Sequence, residues 1–413
     1  MKRLLIYILA GLSCISCLNL NSSDPYQKNL YELAVSLDFP EEDDGIEKAG
    51  IEILVEDINT GGKYLISSDE KGDANIRIPN GSFRINASFI EDGCIWQGME
   101  DGIVLSAENK SITIRMTKSK LGDIIIKEIY CGGCTKNPVE NSDFQSDKYI
   151  ILHNNSNKTA YLDSLCLGTM SPYNSTSDNV WISKTEDGQT IYRDFIPLLQ
   201  AVWKIGGDGT TYPLEPGQDA IIAVNGARNF AEIYPESVNL DRPDCFICYA
   251  PVEFPNTTYH PVPGNNTSPE RIMDLIIKTS RGNAFAFSVT SPTVIIFKAE
   301  GLSIEEYVRQ AENIIPIPGG SSEDKVTKIP PQWVLDGVEV FNGASSKNTK
   351  RLMPLIDAGA VSLSVRYKGK SLMRRKDEAN STKFGYEILI DTNNSTKDFY
   401  ESEHASLWKE VKK

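Results

Sequence analysis

Histidine is scarce in this chain: three occur in 413 residues, His153, His260 and His404. A serine, histidine and acid triad would have to draw on one of them. No H-E-x-x-H, G-x-S-x-G, Walker loop or glycine-rich dinucleotide turn occurs, so no sequence signature assigns a metal, a nucleotide or any other cofactor. Positive charge is short as well. With 42 Lys and Arg against 56 Asp and Glu, the formal charge is −14, which argues against nucleic acid or an anionic membrane surface as a partner, since both select for basic patches. Beyond the N-terminus there is no apolar run of the roughly eighteen or more residues that a spanning helix requires.

The N-terminus itself is distinctive. Lys2 and Arg3 precede the apolar run Leu4 to Leu12, and Cys14 and Cys17 each follow a serine. A basic start, a short apolar core and a small residue at the cut make a secretory signal rather than a membrane span. The pattern resembles the lipobox of bacterial lipoproteins. Ile15-Ser16-Cys17 fits it better than Leu12-Ser13-Cys14, because a β-branched residue at −2 is usual, so Cys17 is the expected lipidation site and residues 1–17 the signal peptide. The resemblance implies a cell-envelope protein, at the outer membrane and facing outward, attached to the membrane through its lipid. Residues 18–29 are polar and aperiodic and read as a tether.

From Tyr31 onward apolar residues alternate. Leu33, Val35 and Leu37 do so, then Ile51, Ile53 and Val55, then Phe83, Ile85 and Ala87 after the turn Pro79-Asn80-Gly81, and finally Ile112, Ile114 and Met116. Period two with frequent turn signals predicts a small all-β sandwich over 30–118. The turn Asp69-Glu70-Lys71-Gly72 and the hairpin Pro79-Asn80-Gly81 resemble those of carboxypeptidase-regulatory or Cna-B-like domains, which imply a spacer or binding platform.

A second β-rich region, 119–413, opens with Ile124 to Tyr130 and Asp147 to Ser156. These runs, together with Ala160 to Gly168, Tyr212 to Val224, Trp333 to Glu339, Ser371 to Arg375 and Asp391 to Phe399, resemble the lamin-tail fold, an immunoglobulin-like β-sandwich. The whole chain is similar to Bacteroidota outer-membrane lipoproteins of unknown function with this two-domain build. The second domain is long for one sandwich and must hold insertions. Ser303-Ile-Glu-Glu306 is a capping box that opens a helix over about 303–314. Asn225 to Tyr234 reads as another short helix, and 317–329 as an exposed loop.

Six cysteines lie beyond the signal: Cys94, Cys131, Cys134, Cys166, Cys245 and Cys248. Two C-x-x-C pairs leave zinc, disulfides and buried thiols open, although a strand through 245–248 would turn its cysteines to opposite faces. Asp391 to Asp398 offers hard oxygen ligands of the kind calcium prefers but lacks the glutamate and glycine placement of an EF-hand loop, and it reads as a turn fixed by its own side chains. The run Glu41-Glu42-Asp43-Asp44 reads as a solvated loop.

These features lead to the expectation of a non-catalytic binding protein that uses loops of the second sandwich, 170–300, where Trp181, Trp203 and Tyr259 are candidate ligand contacts, the other reading of these rings being a small core of the insertions themselves. An outer-membrane receptor protein, a glycan or a peptide is the expected partner. The alternative is a surface-displayed carbohydrate- or peptide-degrading enzyme with its acid and base among the loop carboxylates.

Overall fold

The computed structural model describes residues 29–40, 45–91, 94–106, 108–120, 122–137, 142–186 and 189–411. Cys17 and the run 41–44 lie outside them. The chain is all-β, with a few short helices, and its strands form two units.

In the first unit, β1 (Leu30–Asp38), β2 (Glu52–Asp57), β3 (Lys63–Ser67), β4 (Asp73–Pro79), β5 (Gly81–Glu91), β6 (Cys94–Leu105), β7 (Lys110–Arg115) and β8 (Thr117–Lys120) make two sheets. One has the order β4-β1-β7, the other β3-β2-β5-β6-β8. Alternation sends Leu33, Val35, Ile53, Val55, Phe83, Ile85 and Ile114 into one apolar cluster between the sheets. β8 pairs with Cys94 to Gln97, so this unit's sheet continues past residue 118.

The second unit is thicker. A six-stranded sheet runs through Phe246–Ile247, Asp219–Ala223, Tyr149–Asn154, Ile124–Tyr130, Ser371–Arg374 and Phe399–Ser402. It faces an eight-stranded sheet whose centre is Ile196–Lys204, Cys166–Met170, Thr293–Phe297 and Val334–Asn342. Ile126, Leu152, Ile222, Leu167, Trp203 and Ile296 fill the space between them. Each sheet is also covered on its outer side. Tyr130, Tyr149 and Ile221 pack under Val238, Leu240 and Leu407, while Ile295, Phe297 and Val202 pack under Ile304 and Trp333. Strands buried on both faces account for the unbroken apolar runs Tyr149 to Leu152 and Val294 to Phe297.

Three local expectations are corrected. The capping box of Ser303 and Glu306 is present, but its helix is Ile304–Arg309, followed by a 3-10 turn at Ala311–Asn313 and then the strand Ile314–Pro316. The β-branched pair Ile314-Ile315 goes to the sheet edge instead of extending the helix. Within 317–329, Lys325–Ile329 is a strand, paired with Ile196 to Leu198 on one side and Ile314 to Pro316 on the other. Asn225 to Tyr234 contributes only the 3-10 turn Phe230–Glu232.

Candidate functional site

The side of β5 facing away from its own core carries Arg84, Asn86 and Ser88, all buried. Alternation opposite Phe83, Ile85 and Ala87 points these polar groups outward, and the second unit covers them. Asn394 Nδ2 donates to Asn86 Oδ1 at 2.9 Å and to Ser88 Oγ at 3.1 Å, and Gln97 Nε2 donates to the Leu355 carbonyl at 2.7 Å. Lys397 Nζ reaches the Ser88 carbonyl at 3.3 Å and the Glu52 carboxylate at 3.3 Å. The two units therefore meet through a hydrogen-bonded polar seam.

Beside this seam opens a cleft of about 630 Å³. The first unit supplies Glu56, Asp57, Lys63 and Arg84, and the second supplies Phe341, Ser362, Ser364, Arg375, Tyr400 and Glu401. Arg84 lies over the Phe341 ring, 4.6 Å from its centroid, and pairs with Asp101 at 3.1 Å and Glu56 at 3.6 Å, while its Nε is buried without a hydrogen bond. Arg375 stands over the exposed ring of Tyr400 at 5.3 Å. A second cavity of about 270 Å³ adjoins it through Ile58 and Asn348 and is lined by Asp101, Lys184 and Tyr192. Clefts at domain junctions with aromatic faces and convergent polar groups are a common setting for ligand binding.

The candidate aromatics of 170–300 do not converge. Trp203 is fully buried, with Phe285, Phe254 and His260 around it at centroid distances of 5.4 to 6.4 Å, and Trp181 is buried against Phe195 at 5.9 Å. Both are corrected from ligand contacts to core, because Trp203 lies on a central strand with its ring between the sheets and Trp181 is closed over by its neighbours. Tyr259 is 41% exposed, and its backbone carbonyl accepts from Asn225. It does not line either cavity of the junction.

The six cysteines are free thiols. Cys245 belongs to the outer apolar cluster and Cys248 to the inner one, so a strand separates them and a four-thiolate zinc site does not assemble. Burial pushes the Cys131 and Cys245 thiols up to about 12 and the Cys134 thiol higher, which leaves them protonated and unreactive.

His153, Asp219 and Glu387 gather at one place, but a lysine fills the position a cation would take. Lys127 Nζ pairs with Asp219 at 2.7 Å and with Glu387, while His153 Nδ1 contacts Asp219 at 2.6 Å and Nε2 the Glu387 carbonyl at 3.0 Å. His260 is buried and held neutral, its pKa driven down to about 4 by desolvation, with Nε2 accepting from Ala250 N.

The Asp391 to Asp398 segment resolves into a turn. Asp398 accepts from Thr392 N, Thr392 Oγ1 and Asn394 N, and Arg374 lies among Asp336, Asp391 and Asp398 at 2.6, 2.9 and 3.4 Å. A guanidinium therefore takes the charge that calcium would have supplied. Burial and mutual repulsion still push Asp336 up to about 6 and Asp398 up to about 7, against the pull of Arg374.

The cleft residues were missed because their charges look like ordinary solvent-facing positions in each strand. The one available signal was the polar face Arg84, Asn86, Ser88 opposite an apolar one, which marks an exposed or an interface side without distinguishing them.

A model of a protein family of unknown function, DUF4876, matches residues 215–406. No curated protein matches the chain. Among solved structures, a DUF4876 family protein from Bacteroides thetaiotaomicron is 24% identical, with a TM-score of 0.56 over 90% of this chain and 94% of that one. The Bacillus anthracis TIE protein is 11% identical over 46% of this chain and 32% of that one, with a TM-score of 0.16, too low to carry an argument. The fold is thus shared with a Bacteroides protein, and the C-terminal half of the chain matches a family whose function is unknown.

Proposed function

We propose that this chain is a non-catalytic lipoprotein of the cell envelope, anchored through Cys17 and facing outward, that binds a glycan or peptide ligand in the cleft between its two units. The observation that carries the reading is the cleft itself, lined by cationic groups from both units, by hydroxyl groups of the second unit and by the exposed Tyr400 ring. An aromatic face with adjacent hydrogen-bonding groups suits a sugar ring or a peptide backbone. The cleft carboxylates favour binding over hydrolysis. Glu56 is paired with Arg84, Asp57 accepts from the backbone of Asn59 and Thr60, and Glu401 is held by Ser364 and Lys370. None of these three is poised as a free acid or base.

Glycan and peptide arrays probed with the mature protein test the reading. A retained ligand should be lost with Tyr400→Ala, while Tyr259→Ala leaves it bound. Binding indifferent to Tyr400→Ala and Arg375→Ala, or cleavage of an arrayed ligand, would overturn it. For the anchor, acylation at the mature N-terminus should vanish in Cys17→Ala and persist in Cys14→Ala, as read by mass spectrometry.

A further inference from the structure

Glu339, Lys350, Arg351 and Asp357 form a charge cluster inside the second unit, none more than 1% exposed. Arg351 is matched: two of its nitrogens reach Glu339 Oε1 at 2.7 and 2.6 Å, and it donates to the carbonyls of Pro172 and Val340. Lys350 is not. Its Nζ lies 3.6 Å from Glu339 Oε2 and 3.8 Å from Asp357 Oδ2 and makes no hydrogen bond. A buried ammonium without hydrogen bonds is costly, and a reaction that removed its charge together with that of Asp357 would leave Glu339 and Arg351 as a balanced pair.

Asp357 is placed for such a reaction. Its Oδ1 accepts two backbone N–H groups, from Gly359 at 2.8 Å and Ser395 at 2.9 Å, and its Oδ2 accepts from Glu339 N at 2.8 Å and Ser395 Oγ at 2.6 Å. Two fixed N–H donors on one oxygen stabilise the negative charge that develops when a carboxyl carbon is attacked. Burial also raises the pKa of this carboxyl, which favours the protonated acid that can lose water.

We propose that Lys350 and Asp357 condense into an internal amide once the chain has folded. A proton passes from the Lys350 ammonium to the Asp357 carboxylate, giving a neutral amine and a neutral acid. Nζ adds to Cγ, and charge gathers on Oδ1 beneath the N–H groups of Gly359 and Ser395. Glu339 Oε2 takes a proton from Nζ and returns it to Oδ2, which departs as water. One C–N bond forms and one C–O bond breaks, with no oxidant or co-reactant. The product ties the segment after Val334–Asn342 into a closed loop next to the junction of the two units.

Intact-mass measurement of the purified full chain decides the matter. The expected mass is that of the mature chain with its N-terminal acyl groups, less one water, with peptide mapping placing the loss in a branched fragment that joins residues 350 and 357. Lys350→Arg, which keeps the charge but cannot condense, and Asp357→Ala should each show the full mass. Folded wild-type protein at full mass, or a water lost at any other aspartate, overturns the proposal.

Discussion

Asn394 and Asn86, 308 residues apart, share a hydrogen bond of 2.9 Å in which both side chains are fully buried. It ties the turn after Asp391 to the middle of β5, and the same Asn394 amide also reaches Ser88. Removing it strands an acceptor in a place water does not reach. Asn394→Ala should cost about 1–3 kcal/mol, the usual penalty for leaving a buried polar partner unpaired. Asn394→Asp should cost more, because a carboxylate then faces the Asn86 oxygen. Urea denaturation of the two variants checks the order, and equal stabilities would show that the seam is wetter than its geometry implies.

Trp203 and Tyr259 separate core from surface. Trp203→Ala empties a ring-sized space between the two sheets of the second unit and should lower stability by about 3–5 kcal/mol. Tyr259→Ala removes an exposed ring and should stay within about 0.5 kcal/mol of wild type. Trp181→Ala should resemble Trp203→Ala in direction, since its ring is closed in against Phe195. Thermal melts of the three variants give the comparison.

The polar character of the seam predicts that the first unit can be separated. A fragment of residues 29–120 keeps both of its sheets and the whole apolar cluster between them. What it exposes is led by Arg84, Asn86, Ser88 and Gln97, groups that water can solvate. A cooperative unfolding transition is expected, with a modest margin at this size. A broad, non-cooperative curve would show that the second unit is needed to hold β5 and β6.

The first unit was legible because β1 and β5 alternate apolar residues with polar or less buried ones, so period two appears directly in the letters. The second unit was less so. Tyr149 to Asn154 and Cys166 to Met170 are buried along their whole length, and Trp203 sits on a strand between two others, so an aromatic that reads as a loop contact belongs to the core. Lys325 to Ile329 follows a run of Pro, Gly, Ser and charge, and only its pairing with both neighbours makes it a strand. The cleft was not legible at all. It joins residues near 60 and 84 to residues near 341, 362 and 400, and no local pattern states that those segments meet.

Asp147 gives the clearest dependence on pH. Its Oδ2 accepts from Ser237 Oγ at 2.7 Å, Tyr130 OH at 3.1 Å and Cys134 Sγ at 3.5 Å, while its Oδ1 is buried with no hydrogen bond. Desolvation pushes its pKa up to about 6, so the folded chain holds a proton that the unfolded chain releases near 4. The stabilisation from this group is complete below pH ~4 and is lost as pH rises through ~6. His260 acts in the opposite sense over a similar window, because its folded pKa near 4 lies below the unfolded value and its contribution is lost as pH falls. Lys148, lowered to about 8 by burial, changes only at higher pH. Asp336 and Asp398 act in the same sense as Asp147, so the wild-type profile is a sum, and a substitution is required to isolate one part. Asp147→Asn keeps an oxygen for the three donors and places an NH2 where Oδ1 had no partner. The variant should gain about 1–3 kcal/mol over wild type at pH 7.5 and lose that advantage by pH 4. Denaturation curves at several pH values measure the difference, and a gain that did not change with pH would show that Asp147 is ionised throughout.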